Sequence, residues 1–313
     1  MQAADLEGIY PAVIVPMRSD FSIDFDAYRR YLGWIATTGS LGVAVNVDTG
    51  EGPYLSLDER VRVIAETRAA LGPGMRIIAG CGGPATAMAV ANAVAARDAG
   101  ADALLVFPTP AFLNDPLDPL IAYDYHKAIA EASGLPIVLF QLAPLFGGVN
   151  YPDDTLEKLL GIEQVIGMKD ASFDSMRFCR ARDIMRRQER PLTLMSGNDN
   201  FLLESFLLGA RGGLLGYGAA GAQLLVDQLD AVRRGDFADA VAMQPRVQGF
   251  CDYIYGAPIG DYRARSKVAL VHMGLLDADL TYVRPPYRSL WNSEREPAAA
   301  AVARFEPLRK AQG

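Results

Sequence analysis

The chain has 313 residues, of which 50% are hydrophobic and 21% are charged, and its formal net charge is −7. This composition is that of a folded protein with a sizeable core, which excludes an intrinsically disordered chain. The lysines and arginines form no cluster, so we expect neither nucleic acid nor an anionic membrane surface as a partner. A small-molecule partner is predicted instead.

The amino-terminal segment, MQAADLEGIYPAVIVP, has no basic stretch ahead of an apolar core and no run near the roughly 20 apolar residues of a membrane span, which predicts a cytoplasmic protein. Cys81, Cys179 and Cys251 are far apart and lack C-x-x-C spacing, so neither a disulfide framework nor a zinc site is expected. His126 and His272, the only histidines, lie in helix-like stretches and are interpreted as structural. No metal is therefore expected.

Eight short apolar runs follow one another along the chain, separated by helix-like segments. In order they are IYPAVIV, LGVAVNV, RIIAG, ADALLVF, PIVLF, QVIGMK, LTLMS and GGLLGY. Apolar strands that alternate with helices are typical of covered parallel sheets, and eight such units fit a closed barrel better than an open doubly wound sheet. No G-x-G-x-x-G follows the first strand, which counts against a dinucleotide fold. The pattern predicts an α/β protein with a (β/α)8 TIM barrel.

From about Asp236 the pattern becomes purely helical. We interpret residues 1–235 as the barrel and residues 236–313 as a C-terminal helical extension, with helices near 236–255, 262–276 and 293–311. In barrels of this kind the chemistry lies at the carboxyl ends of the strands. Those ends supply the candidate positions, which are 15–17, 46–50, 80–82, 107–112, 140–142, 169–170, 196–199 and 217–219.

Lys169 closes the sixth apolar run. Alternation along the strand places it on the same face as Gly167, and if that face points into the barrel, Gly167 leaves room beneath the amine. Burial favours the neutral amine, which is a nucleophile toward carbonyls. The alternative left open is a solvated amine or one paired with Asp170. The remaining lysines lie in helical or terminal segments, where a solvated amine is expected: Lys127, Lys158, Lys267 and Lys310.

A series of segments, in this order and spacing, resembles the dihydrodipicolinate synthase/N-acetylneuraminate lyase family. They are GIYPAVIVPM, DTGEGPYLSLDER, IIAGCGG, GADALLVFPTP, LPIVLF, VIGMKDAS, MSGNDNFLLESFLLGARGGLLG, KVALVHMG and VRPPY, and they span about residues 7–291. Each segment alone is weakly specific, but the whole series is specific. The chain is identified as a divergent member of this family, whose members are barrels that bind pyruvate or a related 2-oxo acid as an imine.

The resemblance implies roles for four positions in this chain. Lys169 stands where the family has its imine-forming lysine. Thr49 and Gly50 match a turn whose hydroxyl and backbone N–H groups hold the carboxylate of the keto acid, and Leu214 matches a strand-eight position whose backbone carbonyl lies near the substrate. The resemblance also implies a homo-oligomer, either a tetramer built from dimers or a dimer.

Four other positions depart from the family's pattern. Phe140 and Phe112 stand where most members have two tyrosines that relay protons, the second across a dimer interface, and Asp48 replaces the hydroxyl residue that links them. The arginine that binds a distal carboxylate after strand five has no counterpart in QLAPLFGGVN. Neither dihydrodipicolinate synthase nor sialic acid lyase activity is therefore expected.

Another group must transfer protons, because a phenyl ring cannot. We predict Asp48 as that group, since flanking Phe140 and Phe112 would give it an apolar environment that favours the protonated acid. Tyr217, at the end of strand eight, is the second candidate. A turn cap is the structural alternative for Asp48.

The function that follows is aldol cleavage or dehydration of a 2-oxo acid such as pyruvate by a Schiff-base lyase, through a Lys169 imine that acts as the electron sink and needs no cofactor. One alternative is a hydratase-aldolase for a hydrophobic or aromatic substrate, because Phe112, Phe140, Leu142 and Phe146 stand where polar groups would hold a sugar or dicarboxylate. A second alternative is a catalytically weakened protein that binds 2-oxo acids.

Overall fold

The computed structural model describes residues 1–305, in which eight parallel strands form a barrel. The strands are β1 (Ile9–Pro11), β2 (Gly42–Val45), β3 (Arg76–Cys81), β4 (Ala103–Val106), β5 (Ile137–Leu142), β6 (Val165–Ala171), β7 (Thr193–Ser196) and β8 (Gly212–Leu215). Neighbours follow the order β1-β8-β7-β6-β5-β4-β3-β2, and a parallel bridge between Ala12 and Ala44 joins the two ends of that order. Each predicted apolar run overlaps one strand, so the barrel prediction is confirmed.

Helices alternate with the strands, and a helical region follows the last strand. The helices are α1 (Phe25–Ile35), α2 (Leu57–Leu71), α3 (Thr86–Asp98), α4 (Pro119–Ser133), α5 (Asp153–Leu160), α6 (Ser175–Arg186), α7 (Leu202–Leu207), α8 (Gly218–Arg234), α9 (Phe237–Ile254), α10 (Tyr262–His272) and α11 (Trp291–Phe305). The last three correspond to the predicted C-terminal helices, although residues 306–311 of the final prediction lie outside the described residues. Within residues 1–305, no helix combines the length and apolar character needed to cross a membrane.

Local sequence signals set the helix ends. At the start of α2 the Ser56 hydroxyl accepts a hydrogen bond from the Glu59 backbone N–H at 3.2 Å, while the Glu59 carboxylate accepts one from the Ser56 N–H at 2.8 Å. This capping box satisfies two amides that the helix leaves unpaired. Gly134 ends α4 with a φ of 65°, a left-handed conformation that glycine adopts without steric cost. Hydrogen bonds and backbone conformations of residues close in sequence thus determine where these helices begin and end.

The barrel interior is apolar and closed at its amino-terminal end. Leu6, in a short 3₁₀ turn ahead of β1, is fully buried and packs in one cluster with interior residues such as Tyr10, Val138 and Met195. The Thr193 hydroxyl of β7 donates a hydrogen bond to the carbonyl of Ala3 at 2.7 Å, which ties this turn to the strands. The amino-terminal turn thus fills this end of the barrel.

The helical extension covers part of the opposite end of the barrel. Most of α10 is buried, and two of its cations reach the turn that follows β2, where Arg263 contacts Asp48 and Lys267 contacts Glu51. The extension thus contributes side chains to the same edge of the barrel at which the strands end.

Candidate active site

A cavity of about 380 Å³ lies at the carboxyl ends of the strands, within the size range of small-molecule sites. Residues from the strand ends form one side and residues from the extension form the other. The lining includes Ala12, Val47, Asp48, Thr49, Tyr54, Phe107, Phe140, Leu142, Phe146, Lys169, Ala171, Phe173, Gly197, Asp199, Gly216, Tyr255, Ile259, Tyr262, Arg263 and Tyr287. Four of the predicted site residues meet here, and the structure brings in several that the sequence analysis did not single out.

Lys169 reaches the cavity from β6. In the strand register it lies opposite Phe140 of β5, and its Nζ stands 4.3 Å from the centroid of the Phe140 ring. Burial lowers the pKa of Lys169 to about 8, although the charges of Asp199 and Asp48 oppose that shift. At pH 7 a pKa of 8 leaves roughly one amine in ten neutral, against about one in three thousand for a pKa of 10.5. The amine is therefore suited to attack a carbonyl carbon.

The space around Lys169 comes from Gly197, not from Gly167 as predicted. A Cβ atom at Gly197 would lie 2.4 Å from Lys169 Cε, whereas one at Gly167 would meet the Thr193 carbonyl oxygen at 2.3 Å and Leu6 at 2.8 Å. The absence of a side chain at Gly167 thus allows β7 and the amino-terminal turn to pack closely against β6. Alternation within β6 could not predict the contact between Lys169 and Gly197, because Gly197 belongs to a different segment, directly after β7.

The Asp170 carboxylate forms no ion pair with the Lys169 amine in the described chain. This carboxylate accepts hydrogen bonds from Gln141, Ser172 and Asn198 at 2.5 to 2.9 Å and is fully buried. These bonds join the ends of β5, β6 and β7. The structure therefore disfavours the alternative in which Asp170 neutralises the lysine.

The turn after β2 brings Thr49 into the cavity and holds Asp48 in an ion pair. Asp48 Oδ2 accepts hydrogen bonds from the Tyr262 hydroxyl at 2.8 Å and from the Arg263 guanidinium, and the Asp48 side chain is 46% exposed. The predicted apolar environment between Phe140 and Phe112 is wrong, because a cation and a phenol from α10 surround this carboxylate. The Asp48 carboxylate is thus already bound by two side chains of α10.

Four predicted residues lie outside the cavity lining. Tyr217 is buried against Phe250 at a ring distance of 5.6 Å, and burial raises the pKa of its phenol, so it is badly placed to transfer protons. Phe112 packs against aromatic rings of the same chain. Its ring neighbours, at 5.4 to 6.2 Å, are Tyr125, His126 and Tyr151.

Leu214 and Gly50 lie behind the lining residues. Leu214 is fully buried in the interior cluster of the barrel. Gly50 packs against β1, where a Cβ atom would lie 2.7 Å from the Val13 carbonyl oxygen. Their predicted backbone roles toward a substrate stay predictions.

Asp199 and Tyr255 are two cavity residues to which the sequence analysis gave no role. Asp199 follows β7, is 8% exposed, and its Oδ1 has no hydrogen-bond partner among residues 1–305. Burial raises the pKa of Asp199 to about 7, against the opposing effects of the Lys169 charge and a hydrogen bond from Tyr255. Asp199 had one sequence signal, its position among the strand ends. Tyr255, at the end of α9, had none.

The hydroxyl groups of Thr49 and Tyr255 both lie close to Gly216. A Cβ atom at Gly216 would lie 2.3 Å from the Tyr255 hydroxyl oxygen and 2.9 Å from Thr49 Oγ1. Glycine at this position lets the two hydroxyls approach the end of β8. The cavity therefore has hydroxyl groups on the side near Thr49.

Arg263 lines the cavity within a group of tyrosines. Its guanidinium carbon stands 4.3 Å from the Tyr287 ring centroid and 4.8 Å from that of Tyr262, and its Nε donates to the Asp48 carbonyl at 2.8 Å. Burial disfavours its charge, but Tyr262 and Asp48 raise the pKa of Arg263, so it stays charged. The cavity lining thus contains an arginine whose guanidinium is already bound by protein groups.

Lys267 corrects another prediction, because its amine is buried. Its Nζ donates to Glu51 Oε1 at 2.6 Å and to the Tyr282 carbonyl at 2.5 Å, and both ionic side chains are at most 1% exposed. Lys267 does not line the cavity. Its role is to fasten α10 to the turn that carries Thr49.

Within the described part of the chain, no group of three or more His, Cys, Asp or Glu side chains is arranged to hold a metal ion. The described cysteines are free thiols, and two of them, Cys81 and Cys251, are buried. The acid and base groups of the cavity are thus its lysine, carboxylates and phenols.

Comparison with known proteins places the chain. The sequence model of the dihydrodipicolinate synthetase family matches residues 5–304. The chain belongs to this family. A 4-hydroxy-tetrahydrodipicolinate synthase from Azoarcus sp. is 31% identical over 276 residues, covering 86% of this chain and 91% of the relative. A DapA-like lyase of uncharacterised function from Pyrobaculum aerophilum is 29% identical, covering 80% of this chain and 81% of the relative.

Solved structures agree with this family and fold. A monomeric dihydrodipicolinate synthase variant superposes with a TM-score of 0.87 at 19% identity, covering 97% of this chain and 98% of the other. The chloride-inhibited dihydrodipicolinate synthase from Acinetobacter baumannii, solved with pyruvate, has a TM-score of 0.84 at 27% identity and covers 97% and 100% of the two chains. The family and the barrel predicted from sequence are confirmed.

Proposed function

We propose that this protein is a Schiff-base-forming lyase that acts on pyruvate or another 2-oxo acid through Lys169. The observation that carries the proposal is the position of the Lys169 amine, in a cavity at the carboxyl ends of the strands and over the Phe140 ring. Burial shifts this amine toward the neutral nucleophile. The bound pyruvate of the Acinetobacter baumannii relative supports a 2-oxo acid as the electrophile.

Thr49 is the proposed contact for the substrate carboxylate. It is buried at the cavity edge, on a turn fastened by the ion pair between Glu51 and Lys267. A hydroxyl donor to a carboxylate forms a charge-assisted hydrogen bond, which is stronger than one between neutral groups. The carboxylate would thus be held on the Thr49 side while C2 faces Lys169.

The proposed substrate carries a hydrophobic or aromatic group beyond the keto acid. The wall beside Lys169 consists of apolar side chains from the strand ends, namely Phe107, Phe140, Leu142, Phe146 and Phe173. Such a wall offers no hydrogen bonds to the hydroxyls of a sugar, which would lose their solvation without compensation. This observation favours a hydratase-aldolase for a hydrophobic substrate as the specific form of the lyase.

The proposal excludes dihydrodipicolinate synthase and sialic acid lyase as the physiological activities, although many relatives carry the former name. Phe140 has no proton to transfer, and Asp48 already binds the Arg263 guanidinium, which would otherwise be free for a distal carboxylate. Loss of an acid–base group typically costs 10²–10⁴-fold in rate. Condensation of pyruvate with aspartate semialdehyde at a normal synthase rate would contradict this exclusion.

Reductive trapping tests the central proposal. Pyruvate with borohydride should add a stable mass to Lys169, located by peptide mass spectrometry, and Lys169→Ala should abolish the adduct. The matched control is Lys158→Ala, because Lys158 is an exposed lysine on α5. An adduct on another lysine, or none with any 2-oxo acid tested, would refute the proposal.

A second measurement distinguishes an enzyme from a binding protein. Pyruvate is offered with a panel of aromatic, aliphatic and polyhydroxy aldehydes, and carbon–carbon bond formation is followed by chromatography. We expect aromatic aldehydes to react fastest because of the apolar wall. An imine that forms at Lys169 without turnover of any aldehyde would instead indicate a protein that only binds 2-oxo acids.

A further inference from the structure

Proton transfer in this cavity needs a group that is neither Phe140 nor Asp48. Two carboxylates line the cavity, and Asp48 is bound by Arg263 and Tyr262. The other is Asp199, whose Oδ1 is buried and has no partner in the described chain. An unpaired buried carboxyl oxygen carries a free-energy cost that an ordinary structural role leaves unexplained.

The backbone and side chain of Asp199 are both held in place. Cys251 on α9 donates its Sγ–H to the Asp199 carbonyl at 3.5 Å, and the Tyr255 hydroxyl bonds the carboxyl group. Gly197, two residues earlier, is the residue against which Lys169 Cε packs. Of the charges that affect the Lys169 amine, that of Asp199 is the largest, ahead of Asp48. Asp199 therefore lies on the same side of the cavity as the amine.

We propose that Asp199 is the catalytic acid and base of the Lys169 imine chemistry and that Tyr255 is its positioning residue. This inference rests on the proposed function, since it assigns the proton transfers of that reaction. It gives the extension a part in the chemistry, because the positioning hydroxyl comes from the residue directly after α9 rather than from the barrel.

The first step that Asp199 would serve is loss of water. The neutral amine adds to C2 of the 2-oxo acid to give a carbinolamine. The Asp199 carboxylic acid gives its proton to the carbinolamine hydroxyl, the C–O bond breaks, and the nitrogen lone pair forms the C=N bond. The products are an iminium on Lys169, one water molecule and the Asp199 carboxylate.

The second step uses that carboxylate as a base. It takes a proton from C3 of the iminium, the C–H electron pair forms a C2=C3 double bond, and the C=N electrons return to nitrogen as a lone pair. The products are a neutral enamine and the Asp199 carboxylic acid. A carboxyl group that titrates near neutrality can serve in both steps.

The groups that face Asp199 set the pH dependence. They are Lys169 of β6, Tyr217 after β8, Cys251 of α9 and Tyr255 directly after α9. Burial raises the pKa of the two phenols and the thiol, so these stay protonated through the neutral range. The hydrogen bond from Tyr255 lowers the pKa of Asp199, so Tyr255→Phe should raise it. Because proton abstraction needs the carboxylate, the acid limb of the rate profile should then move to higher pH.

The test uses pyruvate itself, because its methyl protons exchange with solvent each time an enamine forms and returns. Exchange in deuterated water is followed by proton magnetic resonance, and the imine is measured separately by borohydride trapping at Lys169. Asp199→Asn should slow exchange by 10²–10⁴-fold while the trapped adduct still accumulates on long incubation. The matched control is Asp124→Asn, the same substitution at an exposed position on α4.

The outcomes separate the two proposals. A wild-type protein that forms no adduct refutes the Schiff-base function, and this inference with it. A wild-type protein that forms the adduct, together with an Asp199→Asn variant that exchanges at the wild-type rate, overturns the inference alone, as does an adduct without any exchange in the wild type. If Asp199→Asn does not fold, Tyr255→Phe decides, because an unchanged acid limb would also overturn the assignment.

Discussion

Two lysines of this protein, Lys169 and Lys267, have opposite surroundings. Lys267 on α10 has Glu51 at 2.6 Å and the Tyr282 carbonyl at 2.5 Å. Lys169 on β6 has the Phe140 ring at 4.3 Å and no carboxylate within salt-bridge distance in the described chain. Burial lowers the pKa of both amines, but only Lys267 has a partner that holds its proton in place. The difference teaches that the nearest counter-charge, rather than the lowered pKa, distinguishes a lysine fixed in an ion pair from one that faces an aromatic ring in a cavity.

The most damaging change should be loss of the structural lysine. Lys267→Met leaves Glu51 buried without a counter-charge, which typically destabilises a protein by about 3–5 kcal/mol. Denaturant unfolding measures this loss, and Lys127→Met, at an exposed helix position, is the control.

The double variant Lys267→Met with Glu51→Gln sharpens the contrast, because it removes both charges. We expect it to recover part of the lost free energy of unfolding. A stable Lys267→Met variant would show that this ion pair does not hold α10 against the barrel.

The next largest effect should come from a substitution beside Lys169, Gly197→Ala, which changes no charge. Gly197→Ala would place a Cβ atom 2.4 Å from Lys169 Cε, so the amine must shift. Displacement of a reacting group by about 1 Å can cost 10²-fold, and we expect the rate of adduct formation with pyruvate to fall by about that factor.

Gly74→Ala is the matched control for Gly197→Ala, since a Cβ atom at Gly74 would meet nothing within 4 Å. Unaltered trapping kinetics in Gly197→Ala would mean that Lys169 does not depend on this contact.

Thr49→Val tests whether the turn held by Lys267 contributes to binding beside Lys169. Thr49 lies on that turn and lines the same cavity as Lys169. Loss of a charge-assisted hydrogen bond should weaken 2-oxo acid binding by about 1.5–3 kcal/mol, with folding nearly unchanged. Isothermal calorimetry with pyruvate measures the affinity. Wild-type affinity would return this turn to a purely structural role.

The smallest expected effect is a gradual change in the rate of imine trapping at Lys169 as the pH is raised. Because the pKa of Lys169 is lowered to about 8, the neutral fraction should rise about tenfold per pH unit below that value and level off above it. The initial rate of cyanoborohydride trapping should follow this curve. A rate that keeps rising to pH 10 would show that the amine is solvated and behaves like an exposed lysine.

The sequence by itself was sufficient for the barrel, the family and the place of Lys169 on the sixth strand. Eight apolar runs separated by helices with their own caps encode β1 to β8 locally, and Lys169 lies near the carboxyl end of β6, in the apolar run that predicted this strand. Thr49 and Phe140 lie within the predicted strand-end ranges, and the resemblance to the family singled them out there. Local periodicity carries this information because each element is specified by neighbouring residues.

The tertiary structure decided the surroundings of those residues. The room beside Lys169 comes from Gly197, directly after the neighbouring strand β7, and the ion pair that occupies Asp48 comes from Arg263, 215 positions away. Tyr255, which bonds Asp199, also belongs to the helical extension. Sequence spacing does not predict how α9 and α10 pack over the barrel end, because that packing depends on contacts between distant segments. The chemical surroundings of Lys169 were therefore settled only by the folded chain.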